Sequence, residues 1–256
     1  MRILHAPVFL ALCTLALSTA CADKSGDTSD TGADTDMDTD TDTDTDTDTD
    51  TDTDTSVTLE ASFNEFLSGA AISDAAVEFA DGSTGSTDAD GMVTLSGAPL
   101  SVASITLRKD GFPVTHFARP IPLKDARGAS SVPSDSTISL LSSVLGLSMD
   151  PSAAIVTVSV SELSEDGAST TFLGGVTIDL DVPYDVALAM DSTSATGLSA
   201  GNTTLEGSAS TIIFINADAA EVTPSFTLPG GGSCPHGQAT ATLDGGTYNM
   251  LSYYCE

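Results

Sequence analysis

Gly85-Ser86-Thr87-Asp88-Ala89-Asp90-Gly91-Met92-Val93-Thr94-Leu95 decides how this chain folds. Asp90-Gly91 is a turn dipeptide, because glycine reaches the positive φ of a tight hairpin without a steric penalty. Met92 to Leu95 then sets apolar and polar side chains in alternation, the period of a half-buried strand. The same alternation appears on either side. It runs through Val57-Thr58-Leu59-Glu60-Ala61-Ser62-Phe63, Ala76-Val77-Glu78-Phe79, Ile105-Thr106-Leu107 and Phe112-Pro113-Val114-Thr115-His116-Phe117. Asp81-Gly82 and Asp110-Gly111 supply further turns, so a sheet protein begins at Val57. Asp88-Ala89-Asp90-Gly91 also echoes part of a calcium loop. Aligning Gly91 as that loop's glycine, however, puts Gly97 where the twelfth-position acid belongs, and the turn reading stands.

Ile72 to Phe79, Gly85 to Leu95 and Ile105 to Phe112 together resemble a carboxypeptidase regulatory-like domain over roughly 65 residues. That family pairs a strand carrying "A-x-V" with a "T-D-x-D-G-x-F-x-L" hairpin and a strand ending "K-x-G-Y". Here Met92-Val93 takes the hairpin's hydrophobic position and Phe112 takes the place of the tyrosine. The resemblance implies a transthyretin-like (prealbumin-like) β-sandwich. It implies nothing of peptidase activity, because the carboxypeptidase zinc ligands have no counterpart here.

Pro120 to Ser136 is rich in Pro, Ser and small residues and reads as a connection. Ile138, Leu141, Val144 or Leu145, and Leu147 recur at helical spacing, with Asp135 or Ser136 as candidate cap and Pro151 beyond the end. Strands resume at Ile155 to Val160, Val176 to Leu180, Thr211 to Ile215, Val222 to Leu228, Ala239 to Leu243 and Thr247 to Tyr254. Gly174-Gly175-Val176 resembles the "G-A-x-V" strand entry of the same fold, and Phe214-Ile215-Asn216 with Glu221-Val222-Thr223 resemble its later strands. The expectation is an all-β protein of two tandem transthyretin-like or Ig-like β-sandwiches, with one short helix between them, following a disordered Thr/Asp-rich linker. Its boundaries are a signal peptide at 1–20, the linker at 21–56, sandwiches at 57–127 and 151–256, and a linker with the helix at 128–150.

The amino-terminal segment points to location. Arg2, the apolar run Val8 to Leu17 and the small residues Ser18-Thr19-Ala20 read as a signal peptide. Cys21 follows directly, which resembles a bacterial lipoprotein whose first mature cysteine is acylated. Ser18 stands where that family prefers Leu, which leaves ordinary cleavage after Ala20 or Ala22 as the alternative, with a secreted or periplasmic product. From Thr35 to Asp54 the chain alternates Thr and Asp with one lapse, Met37. Such a tract has nothing to bury against its ordering entropy. Its mutual repulsion extends it at roughly 3 Å per residue, and the stretch from Ala22 to Thr55 reaches on the order of 100 Å at most. Ala22 after the cysteine, by the same resemblance, implies the outer membrane and cell surface.

Charge excludes one class of partner. The chain carries 37 acidic and 7 basic residues, and 14 of the acids precede Val57. The remainder holds 23 acids against Arg108, Lys109, Arg119, Lys124 and Arg127, about eighteen net negative charges. Nucleic acid needs a positive face and is not an expected partner. Those five cations do fall within a 20-residue window that could form a local patch. Cysteine parity favours acylation: Cys13 leaves with the signal, Cys21 takes lipid, and Cys234 with Cys255 makes an even pair suited to a disulfide in an oxidising compartment.

Chemistry is sparse. Gly197-Leu198-Ser199-Ala200-Gly201 matches the G-x-S-x-G nucleophile elbow, and Asp218 and His236 follow in hydrolase order. An elbow needs an apolar strand before the serine and a helix after it, yet Asp191 to Thr196 and Asn202 to Thr204 are polar. A serine hydrolase using Ser199 is therefore only the alternative reading. His116 and His236 stand outside any paired-ligand motif, so no metal site, catalytic residue or cofactor is assigned. The expected role is a non-enzymatic lipoprotein, held to the membrane by its lipid, whose sandwiches bind carbohydrate or an envelope protein, or serve as spacers.

Overall fold

The computed structural model describes residues 56–256, so the signal segment, Cys21 and the Thr/Asp tract lie outside the described residues. In chain order β1 (Val57–Glu65), β2 (Ala76–Phe79), β3 (Thr84–Ser86), β4 (Met92–Gly97), β5 (Val102–Arg108), β6 (Thr115–Pro120) and β7 (Ala126–Val132) precede α1 (Asp135–Leu145). Then come β8 (Ala154–Leu163), β9 (Thr170–Phe172), β10 (Thr177–Leu180), β11 (Val186–Met190) and β12 (Leu198–Ala200). The chain closes with β13 (Thr211–Ala217), β14 (Glu221–Val222), β15 (Pro224–Thr227), β16 (Ala241–Thr242) and β17 (Tyr248–Tyr254). Among the described residues the fold is all-β save for the one helix, as the turn chemistry and alternation imply.

One long sheet organises these strands, in the order β12-β11-β13-β8-β17-β6-β5-β2-β3, with β9 pairing the end of β8. A three-stranded sheet, β4-β1-β7, faces it in the first half, and two short ladders, β10-β15 and β14-β16, complete the second half. The last strand joins the halves. β17 lies parallel to β6 (Tyr248 opposite Thr115) and parallel to β8 (Tyr248 opposite Ile155).

Because side chains alternate across a strand, β17 feeds a core on each face. Tyr248 packs with Leu59, Phe63, Leu107 and Phe117 in the first core. Leu251, Tyr253 and Cys255 pack with Val156, Val158, Ile178, Ile212 and Phe214 in the second. Phe63 and Phe117 meet edge to face at 5.3 Å across the first sandwich.

β7 shows where sequence reading fell short. Ala-Arg-Gly-Ala-Ser-Ser-Val, within the stretch of Pro, Ser and small residues that reads as a connection, pairs in parallel with β1 from Leu59 opposite Ala126 to Glu65 opposite Val132. It is an edge strand with only Val132 fully buried, so no hydrophobic period is imposed on it. β3, β9, β11 and β12 were also not foreseen. The apolar run Val222 to Leu228 is interrupted after Val222, and its second part, beginning at Pro224, pairs with β10 instead. Pro224 opens an outer two-stranded ladder, a place where its missing N–H is tolerated.

The helix starts one residue earlier than expected. Ser134 is extended (ψ 162°) and its hydroxyl accepts from Thr137 N–H, leaving Asp135 in the first turn, where the helix dipole favours an acid. Gly146, at φ 68°, ends it. Ile138, Leu141 and Leu145 enclose an apolar seam of about 50 Å³ with Leu147, Ile213 and Ile215, while Val144 is 60% exposed.

Candidate functional site

The β4-β1-β7 layer stops short of the far strands of the long sheet, and past the β7 edge a groove of about 400 Å³ opens. That size falls in the range of small-ligand sites. Its floor follows from register. Ser252, Ser159 and Thr211 lie side by side on β17, β8 and β13, and Met250, Thr157 and Ile213 form the next row. Ser159 Oγ and Thr211 Oγ1 are 2.9 Å apart, and Thr157 Oγ1 donates to the Tyr248 phenol oxygen at 2.7 Å. Burial pushes the Tyr248 phenol up to about 12, so it stays neutral at physiological pH. Gly128 to Ser131 of β7 flank the floor, and Thr170 and Phe172 of β9 line it too. Phe172 is 65% exposed, the greatest value among the large apolar side chains described.

The groove's electrostatics run against the rest of the protein. Arg119 and Arg127 line it, and no Asp or Glu does, in a chain with 37 acids and 7 bases. Arg127 Nε is paired with Glu60 on β1. Arg119 has no carboxylate partner among the described ion pairs, and its Nε is buried without a hydrogen bond. A buried donor left unpaired costs about 1–3 kcal/mol. The Arg119 guanidinium lies against β7, where a Cβ on Gly128 would come 2.4 Å from Nη1. Glycine at 128 is therefore what lets the arginine sit beneath β7.

The residues singled out from sequence lie elsewhere. Ser199 sits within β12, opposite Ala189 on β11, while the Asp191 carboxylate accepts from the Thr193 N–H and hydroxyl. His236 bridges Tyr254 on β17, four strands away in the sheet, roughly 19 Å at ~4.8 Å per strand. Asp218 is tied by its N–H to Pro183. The pentapeptide is thus a strand and its exit, and no elbow forms. His116 faces the other side of the sheet, half-buried, with Nδ1 3.1 Å from Thr106 Oγ1 and Nε2 4.0 Å from Asp244. Burial holds its pKa below the usual value, with Asp244 pulling the other way. Asp88 spends a carboxylate oxygen on the N–H groups of Asp90 and Met92, as a turn residue does. Among the described residues no three His, Cys, Asp or Glu side chains converge on a metal position. Cys234 and Cys255 form a disulfide, with Cys255 buried in the second core.

Arg119 and Phe172 were not read as site residues from the sequence. The window of five cations was the available signal, but the groove forms only once β7 and β9 are seen as strands.

No protein-family model matches the chain, and neither does any curated protein. Solved structures give distant likenesses. The minor pilin GBS52 of Streptococcus agalactiae aligns at 11% identity and TM-score 0.28, over 78% of this chain and 95% of its own. The shaft pilin SpaA of Lactobacillus rhamnosus GG aligns at 11% identity and TM-score 0.24, over 79% and 98%. The Bacillus anthracis TIE protein aligns at 10% identity and TM-score 0.25, over 78% of this chain and about a third (34%) of its own. At these TM-scores the likenesses carry no argument; the fold rests on the strand pairing above. Among the described residues no helix is long and apolar enough to cross a membrane.

Proposed function

We propose that this chain is a non-enzymatic lipoprotein of the bacterial cell surface that holds a glycan-binding β-sandwich pair away from the membrane. In this reading Cys21 carries the lipid, residues 21–56 are the spacer, and residues 57–127 are a carboxypeptidase regulatory-like module whose partner sandwich helps to build the binding groove. The supporting observation is the hydroxyl-lined floor beside an exposed Phe172. Sugars are recognised by that combination, the apolar face of a pyranose stacking on an aromatic ring while hydroxyls exchange hydrogen bonds. The test is an immobilised glycan panel. Wild-type protein is retained by at least one glycan, and Phe172→Ala weakens retention about tenfold or more, corresponding to ~1.4 kcal/mol. A panel that retains nothing overturns glycan binding and leaves an envelope-protein partner or a spacer role. Labelling with a radioactive fatty acid, lost on Cys21→Ser, tests the anchor.

A further inference from the structure

The geometry points to a carboxylate-bearing polysaccharide, of the uronate class, as the ligand of this groove, with Arg119 receiving the carboxylate. The inference rests on the glycan reading above and goes on to name the sugar's charge. An overall excess of acid repels every anion, so an anion site in this protein needs a locally cationic, acid-free surface. The groove is that surface: two arginines and no carboxylate line it. Lys109 is turned to Ser73 O, and Arg127 is paired with Glu60. Arg119 alone combines a place in the groove with the lack of a carboxylate partner among the described residues. A guanidinium matches a carboxylate in a planar, two-point hydrogen bond.

One free arginine receives one carboxylate of the polymer, and the hydroxyls and ring faces of the neighbouring sugars then meet the Ser252-Ser159-Thr211 row and Phe172. An acidic peptide would find the open edge of β7 but no use for the aromatic platform.

Affinity electrophoresis of the full chain with EDTA present, through gels holding polygalacturonate, its methyl ester or a neutral galactan, tests this. Expected are retardation by polygalacturonate, little by the ester, and at least a tenfold loss on Arg119→Gln. Gly128→Ala should weaken binding similarly, because the new methyl displaces the guanidinium. Lys124→Gln, an exposed cation outside the groove, removes the same charge and should bind as wild type. Equal retardation by acid and ester, or equal losses in the Arg119 and Lys124 variants, overturns the inference. Retention by the neutral galactan alone overturns it while leaving the glycan reading intact. Poly-L-glutamate competing as well as polygalacturonate overturns it in favour of a peptide.

Discussion

Glu65 shows how one side chain ties together parts of the chain far apart in sequence. At the end of β1, its carboxylate accepts from Leu67 N–H (3.0 Å), from Ser68 N–H (2.6 Å) and from the Thr137 hydroxyl in the first turn of α1 (2.6 Å). Partial burial alone would raise its pKa; the bonds from Thr137, Ser68 and Ser134 outweigh that and hold it at about 2 against the usual 4.5. A carboxylate with a depressed folded pKa contributes stability that is complete above the unfolded value and lost as pH falls from 4.5 through about 2. Glu65→Gln should therefore cost about 1–2 kcal/mol at pH 7. The two proteins should converge in urea midpoint towards pH 2, and a gap as wide there as at pH 7 would sink the assignment. Gly91 is the second such residue. Its φ is 73°, and a Cβ would meet Phe63 O at 2.5 Å, with backbone on the other side that has no room to move. Gly91→Ala should destabilise by roughly 2 kcal/mol or more, read as a lowered urea midpoint, from strain and contact together. That glycine was legible in the sequence, since Asp-Gly before an alternating strand has a turn mechanism. Arg119 was not, since its meaning depends on Gly128 across a layer boundary.

At the scale of elements, legibility followed burial. β1, with Val57, Leu59, Ala61 and Phe63 all buried, and β2, β4 and β17 announced themselves by period. Strands on edges or with polar exposed faces did not: β7 buries one residue fully and β3 none. β11, Val-Ala-Leu-Ala-Met, was missed for the opposite reason, because both of its faces are covered and no alternation survives. The disulfide works at this scale too. It ties the end of β17 to the segment after the Gly230-Gly231-Gly232 turn, closing a loop with a sequence separation of 21. Restricting that loop in the unfolded chain contributes about 3 kcal/mol. The double variant Cys234→Ser/Cys255→Ser should lose about that much, a fall in Tm of roughly 6–12 °C for a chain of this size. The groove strands β8 and β13 keep their pairing to each other, so glycan retention below the new Tm should survive. A variant with unchanged Tm would show that the bridge is not formed in solution.

For the whole molecule, the question is whether two sandwiches mean two folding units. A boundary between residues 127 and 151 separates most of the two cores but does not separate the sheets. β17, the last strand in sequence, enters between β6 of the first half and β8 of the second, and Tyr248 is buried in the first core although it belongs to the second half of the chain. Without β17 the first half would expose the whole β6 edge, from Thr115 to Ala118, and would lose an aromatic ring beside Phe117. The second half would lose Leu251 and Tyr253 and the inner edge of β8. Neither half is complete until the chain's end has been placed between them, so the described body should unfold in a single transition. Urea denaturation followed by tyrosine fluorescence and by far-ultraviolet circular dichroism should give coincident curves. An isolated fragment ending at residue 150 should lack a cooperative transition. Two resolved transitions, or an independently folded fragment, would mean that β17 rests against the first sandwich without completing it.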